Sequence, residues 1–113
     1  MATVDVYKQY FSAECTFAEV KRRAAVVWLT AESESGNIRY EAGVSFFPHR
    51  DEEDYAVSYD AVSVKELLST EGHRSKKRDE QCLAQIQEVA NEIAASLNGT
   101  VYWDKPLNEA QYG

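Results

Sequence analysis

Residues 24–47 read AAVVWLTAESESGNIRYEAGVSFF, and the fold turns on whether their apolar residues repeat every two positions or every 3.6. Val27, Leu29 and Ala31, then Ile38, Tyr40, Ala42, Val44 and Phe46, occupy alternate positions, which share one face of an extended chain. Between the two runs, Glu34-Ser35-Gly36-Asn37 supplies turn chemistry, with Gly36 and Asn37 tolerating positive φ. The stretch is therefore expected to be a β-hairpin. A helix over 17–31 also fits, through Phe17, Val20, Ala24, Val27, Trp28 and Ala31, but Val26-Val27-Trp28 favour strand. With the hairpin, Thr16-x-x-Glu19 is expected to cap a short N-terminal helix over about 17–23.

Outward from the hairpin, Tyr55 to Val64 alternates again and predicts a third strand, and Thr100 to Trp103 a short fourth one stopped by Asp104-Lys105-Pro106. Residues 3–11 suit either strand or helix. Over 75–97, Cys82, Ile86, Val89, Ala90, Ile93, Ala94 and Leu97 follow helical spacing; Ser75 stands as N-cap and Asn98-Gly99 as a left-handed stop. The expected fold is α+β: a mostly antiparallel sheet of three to five strands packed on one long C-terminal amphipathic helix, with a short N-terminal helix.

The chain's 113 residues, 44% hydrophobic and 12% aromatic, suffice for one core, so residues 1–113 are expected to form a single domain. No apolar run approaches a membrane span and no signal-peptide pattern opens the chain, so a cytoplasmic protein with no membrane contact is expected. Cys15 and Cys82 show neither disulfide-framework nor zinc spacing, and reduced, buried thiols are expected. Phosphate-loop, nucleophile-elbow and HExxH templates are all missing. His49 and His73 are the only imidazoles, and neither has a nucleophile beside it. The expectation is no catalytic residue, no metal and no cofactor.

Charge is the unusual feature. With 19 acidic and 12 basic side chains the net charge is −7, carried as +1 over residues 1–24, −6 over 25–66 and −2 over 67–113. The run Asp51-Glu52-Glu53-Asp54 lacks the spacing of a calcium loop and suits a solvated, partner-facing loop. Seven tyrosines and two tryptophans exceed what so small a core absorbs easily, and these residues are enriched at interface hot spots. Tyr40, Tyr55 and Tyr59 read as core; Tyr102, Trp103 and Tyr112 read as partly exposed. The function expected is a small non-enzymatic protein that engages a basic protein partner, in the manner of an inhibitor, immunity protein or adaptor, through an acidic sheet surface comprising Glu32, Glu34, Glu41, Asp51, Glu52, Glu53 and Asp54. A homodimer is the other association left open.

The alternative is RNA or phosphate binding through Lys21, Arg22 and Arg23 together with Arg74, Lys76, Lys77 and Arg78. Cations at a helix N-terminus oppose the macrodipole and so point either to an anion or to offsetting acids such as Asp79 and Glu80. Glu71-Gly72-His73-Arg74-Ser75-Lys76-Lys77-Arg78, leading into an amphipathic helix, resembles the start of the second helix of double-stranded RNA-binding domains. That resemblance implies an order of helix, three strands, helix, with these lysines on phosphates. The chain departs from it at Arg78-Asp79-Glu80-Gln81, where the family has alanine-rich spacing, and in the fourth strand. Its net negative charge also disfavours a nucleic acid.

Overall fold

A computed structural model describes residues 2–48 and 61–107. The 24–47 stretch is a hairpin of β2 (Val20–Glu34) and β3 (Asn37–Phe47), in unbroken antiparallel register from Ala24↔Phe47 to Glu34↔Asn37. Its two turn residues, Ser35 (φ 52) and Gly36 (φ 79), both lie in the left-handed region, so the conformation expected of Asn37 falls on Ser35 instead.

The short N-terminal helix is not formed. Residues 2–17 make one strand, β1 (Ala2–Phe17), which pairs antiparallel with β2 down to Phe17↔Val20. Ala18 (φ 53) and Glu19 (φ 66) close that hairpin. The apparent cap at Thr16-x-x-Glu19 is overridden because two β-rich segments flank a two-residue turn, and pairing along their length outweighs one capping box. The same pairing disposes of the helix over 17–31.

β4 (Ala61–Glu71) lies antiparallel to β3 and runs past the expected end at Val64; Tyr55, Val57 and Tyr59 fall outside the described residues. β5 (Gly99–Leu107) returns antiparallel to β1 and runs through Asp104-Lys105-Pro106 instead of stopping there. Pro106 is tolerated because β5 is an edge strand. The sheet order is β4-β3-β2-β1-β5.

The single long C-terminal helix is likewise corrected to two short ones, α1 (Lys76–Leu83) and α2 (Ile86–Ser96). At the break the Gln85 N–H donates to Cys82 O at 3.1 Å, an i→i−3 bond in place of the helical one. The reason lies in the sequence: the apolar repeat starts at Cys82, and Cys82 is the only buried residue of α1. With its polar first turns, α1 has no stripe to lay along the sheet. At 1.5 Å per residue α2 is about 16 Å long, against about 50 Å for β2, so no helix seals the whole face. Both predicted caps are present: Ser75 Oγ accepts from the Arg78 N–H at 3.1 Å, and Asn98 (φ 58) takes the left-handed position.

The sheet's closed face carries the core. Ala25, Val27, Leu29 and Ala31 of β2, Ile38, Tyr40, Ala42, Val44 and Phe46 of β3, and Phe11, Ala13 and Cys15 of β1 pack with Ile86, Val89, Ala90, Ile93 and Ala94 of α2. Cys15 and Cys82 are buried, free thiols. Both strands flanking the hairpin carry one extra residue, Leu67 in β4 and Val6 in β1, on either side of the Thr30–Glu41 row. These bulges add local twist and bend the two strands together.

Candidate functional site

Cross-strand partners in an antiparallel sheet point to one face, so the register reads out the opposite, open face row by row. From the β2–β3 turn inward the rows are Glu34–Asn37–Glu71, then Thr3–Glu32–Arg39–Ser69, then Asp5–Thr30–Glu41–Glu66. Two apolar rows follow, Lys8–Trp28–Gly43–Val64 and Tyr10–Val26–Ser45–Val62. Val62 and Val64 are 52% and 53% exposed, so this band meets solvent at the β4 edge. Trp28 lies flat over Gly43: a Cβ there would sit 2.2 Å from its ring. Tyr10 meets Phe47 edge-on at 5.9 Å between centroids.

Of the seven expected partner-binding acids, the fold brings Glu32, Glu34 and Glu41 together at one end of this face, and adds Asp5, Glu66 and Glu71. Asp51, Glu52, Glu53 and Asp54 lie outside the described residues. Arg39 is the only cation in the three acidic rows, bridging Glu32 at 2.9 Å and Glu41 at 2.8 Å. The hydrogen bond it donates to Glu32, followed by the charges of Glu32 and Glu41, raises its pKa further. Two of the expected carboxylates are thus partly neutralised. A shallow cavity of about 250 Å³ opens between Glu32, Glu34, Arg39 and Ser69. Glu66 was legible only with the correct end of β4, since a strand that stops at Val64 leaves it in a loop.

The two basic clusters do not share a surface. Gly72, just before Arg74, donates to Gly36 O at 2.8 Å, which pins that cluster at the β2–β3 turn. Lys21, Arg22 and Arg23 begin β2, about 40 Å away at 3.3 Å per residue. Arg74 and Arg78 serve the local structure: Arg74 pairs with Asp79 at 2.9 Å, and Arg78 donates to His73 O at 2.6 Å. Lys76, Lys77 and His73 are exposed. With β1 in place of a first helix, the order implied by the double-stranded RNA-binding resemblance is absent too.

Asp79 joins this end to the core. Tyr40, fully buried, donates its hydroxyl to Asp79 Oδ1 at 2.5 Å. Burial pushes the Asp79 carboxyl up, but hydrogen bonds from Arg74 and Tyr40 and the Arg74 charge outweigh it and hold the group below the usual value. Burial, then the bond to Asp79 and its charge, pushes Tyr40 up to about 12. A carboxyl whose pKa is lower in the folded than in the unfolded chain stabilises the fold at neutral pH and loses that contribution as pH falls through its folded value. A raised phenol does the reverse, losing its contribution as pH climbs from 10 towards 12. In urea unfolding, the stability gap between wild type and Asp79→Asn should therefore be level near neutrality and shrink below pH 3.8. A gap unchanged down to about pH 2 would contradict the assignment.

Trp103 is only partly exposed and faces inward, meeting Phe11 in a tilted contact at 4.8 Å between centroids and donating Nε1–H to Asn91 Oδ1 at 2.8 Å. Tyr102 is half-buried on the open face, and its hydroxyl is bonded to Glu14. His49 and Tyr112 lie outside the described residues. Among the described residues no helix is long and apolar enough to cross a membrane. Compared with protein-family models, curated proteins and solved structures, the chain matches none.

Proposed function

We propose that this protein is a non-enzymatic binding protein that engages a basic protein partner through the open face of its sheet. One observation carries the reading: Asp5, Glu32, Glu34, Glu41, Glu66 and Glu71 fall in three consecutive register rows with Arg39 as their only cation. They border a band of Trp28, Tyr10, Val62 and Val64. An apolar centre with aromatic anchors beside a charged rim is the anatomy of a protein–protein contact. The charges steer a cationic partner and fix its orientation, and the apolar rows hold it by desolvation. The shallow cavity beside Glu32 and Glu34, which Arg39 also lines, adjoins these acids.

The test is kinetic. Immobilised protein captures its partner from a host lysate, and stopped-flow mixing of the purified pair gives the association rate at two salt concentrations. Glu34→Lys/Glu66→Lys changes exposed side chains, so the fold is retained. The double variant should associate about tenfold more slowly at low ionic strength, with a flatter salt dependence. An unaltered rate, or a captured partner that is acidic, would overturn the proposal.

A further inference from the structure

β4 ends one side of the sheet, and among the described residues no strand lies beyond it. The direction of its backbone groups follows from the β2–β3 turn. A two-residue hairpin turn makes its flanking pair, here Glu34↔Asn37, exchange both hydrogen bonds, and the bonding side then alternates along β3. Tyr40, Ala42 and Val44 therefore bond outward, to Leu68, Lys65 and Ser63 of β4. Of the other β4 residues, Val62, Val64, Glu66 and Ser69 turn N–H and C=O away from the sheet, and all four are exposed. An unpaired row of this kind is a template for a further strand.

The side chains of the same residues stand on the open face. Val62 and Val64 end its two apolar rows, and Glu66 ends the row Asp5–Thr30–Glu41–Glu66. Lys65, the one cation of β4, lies on the closed-face side opposite Ala42 and is held by Glu92 at 2.9 Å. A strand laid against β4 thus meets two valines and a carboxylate on the face that bears the acidic rows. The other edges differ. β5 is blunted by Pro106 beside Asp104 and Lys105. The first half of β1, which β5 does not reach, includes Lys8 in its open-face positions, and Lys8 repels a cation.

We infer that the basic partner adds an extended segment antiparallel to β4, with a lysine or arginine opposite Glu66 and apolar residues opposite Val64 and Val62. This rests on the partner-binding face proposed above and names the element that the partner brings to it. In the partner's own chain direction the pattern is basic–any–apolar–any–apolar. Charge complementarity selects such a segment over a second copy, which would bring another net charge of −7 to the same face. Backbone hydrogen bonds hold the added strand, and its alternate side chains select the sequence.

The probe is the blocked peptide acetyl-Thr-Lys-Thr-Val-Thr-Val-Thr-amide, titrated to millimolar concentration into the isotope-labelled full chain and followed by NMR. With peptide bound, the amide hydrogens of Val62, Val64 and Glu66 should exchange about tenfold or more slowly, while those of Ser63 and Lys65, already bonded to β3, keep their rates. N-methylation of both peptide valines, whose N–H groups face β4, should weaken binding about tenfold or more; N-methylation of the two threonines flanking the first valine should not. Val64→Pro should give a similar loss from the protein side, and because the Val64 N–H bonds nothing in the sheet, the ladder to β3 is kept. A peptide with glutamate in place of lysine should bind about threefold or more weakly at low ionic strength. Shifts on the open face with unchanged exchange at Val62, Val64 and Glu66 would overturn strand addition and leave the acidic face standing. Equal binding of the lysine and glutamate peptides would overturn both. No shift at millimolar peptide, protection centred on Thr3 and Asp5, or slow exchange at Val62 and Val64 in a self-associated chain before peptide is added would also overturn the inference.

Discussion

Phe46→Ala should cost about 3–5 kcal/mol of folding free energy, a large share of the roughly 5–15 kcal/mol that holds a domain together. Phe46 is fully buried on the closed face, in a row that runs Phe11–Ala25–Phe46–Ala61 across four strands. Large and small side chains alternate along that row, so the two alanines beside Phe46 cannot expand into the space its ring vacates. Neighbouring strands are locked by their ladders and relax little, which puts the cost at the upper end for a deleted aromatic. Urea denaturation reads the effect as a lowered midpoint with an unchanged slope. A loss under about 1 kcal/mol would mean that the helices do not press the core onto this row.

The second large effect concerns the residue against which that ring rests. A Cβ on Gly99 would lie 2.5 Å from Phe46 Cζ, 2.8 Å from Cε2 and 3.1 Å from Cys15 Cβ. Gly99 is the first residue of β5, where the chain leaves α2 and drops back onto the sheet, so the absent side chain is what lets α2 dock this closely. Gly99→Ala should destabilise by about 1–3 kcal/mol through overpacking. Combined with Phe46→Leu, which shortens the obstructing ring, Gly99→Ala should cost markedly less than in wild type. The expected coupling in the double-mutant cycle is about 1 kcal/mol or more. Simple additivity would show that the two groups do not touch.

The strands were legible where alternation was continuous. Val27 to Ala31 and Ile38 to Phe46 named one face of a hairpin correctly because a period of two admits one register once the turn is placed. The departures share a cause: long strand pairing overrides the local signals. Thr16-x-x-Glu19 looks like a helix cap, yet Phe17↔Val20 closes the longest hairpin in the described structure. The helical repeat from Cys82 onward was real, but extending it back to Ser75 assumed that polar Lys76–Gln81 belonged to the same rod. Asp104-Lys105-Pro106 reads as a stop only if the strand has neighbours on both sides.

The candidate sites were half legible. Composition showed that acids crowd residues 25–66, and Glu32, Glu34 and Glu41 do share a face. The contributions of Asp5, Glu66 and Glu71 needed the register of β1 and β4, and the role of Arg39 needed its distances. The basic residues show the converse. Lys21, Arg22 and Arg23 and the cluster from Arg74 to Arg78 look equivalent as sequence, but one borders a cavity and the other braces a strand–helix junction.

The most direct test of the proposed partner-binding face is zero-length carbodiimide cross-linking of the protein to any captured partner, which joins carboxylates to lysines in contact. Exposed Glu80, Glu88 and Glu92 on the helices serve as internal controls. Cross-links to partner lysines concentrated at Glu34, Glu66 and Glu71, with the helix carboxylates unlinked, are the predicted result. Cross-links through Glu80, Glu88 and Glu92 with the open face bare would contradict it.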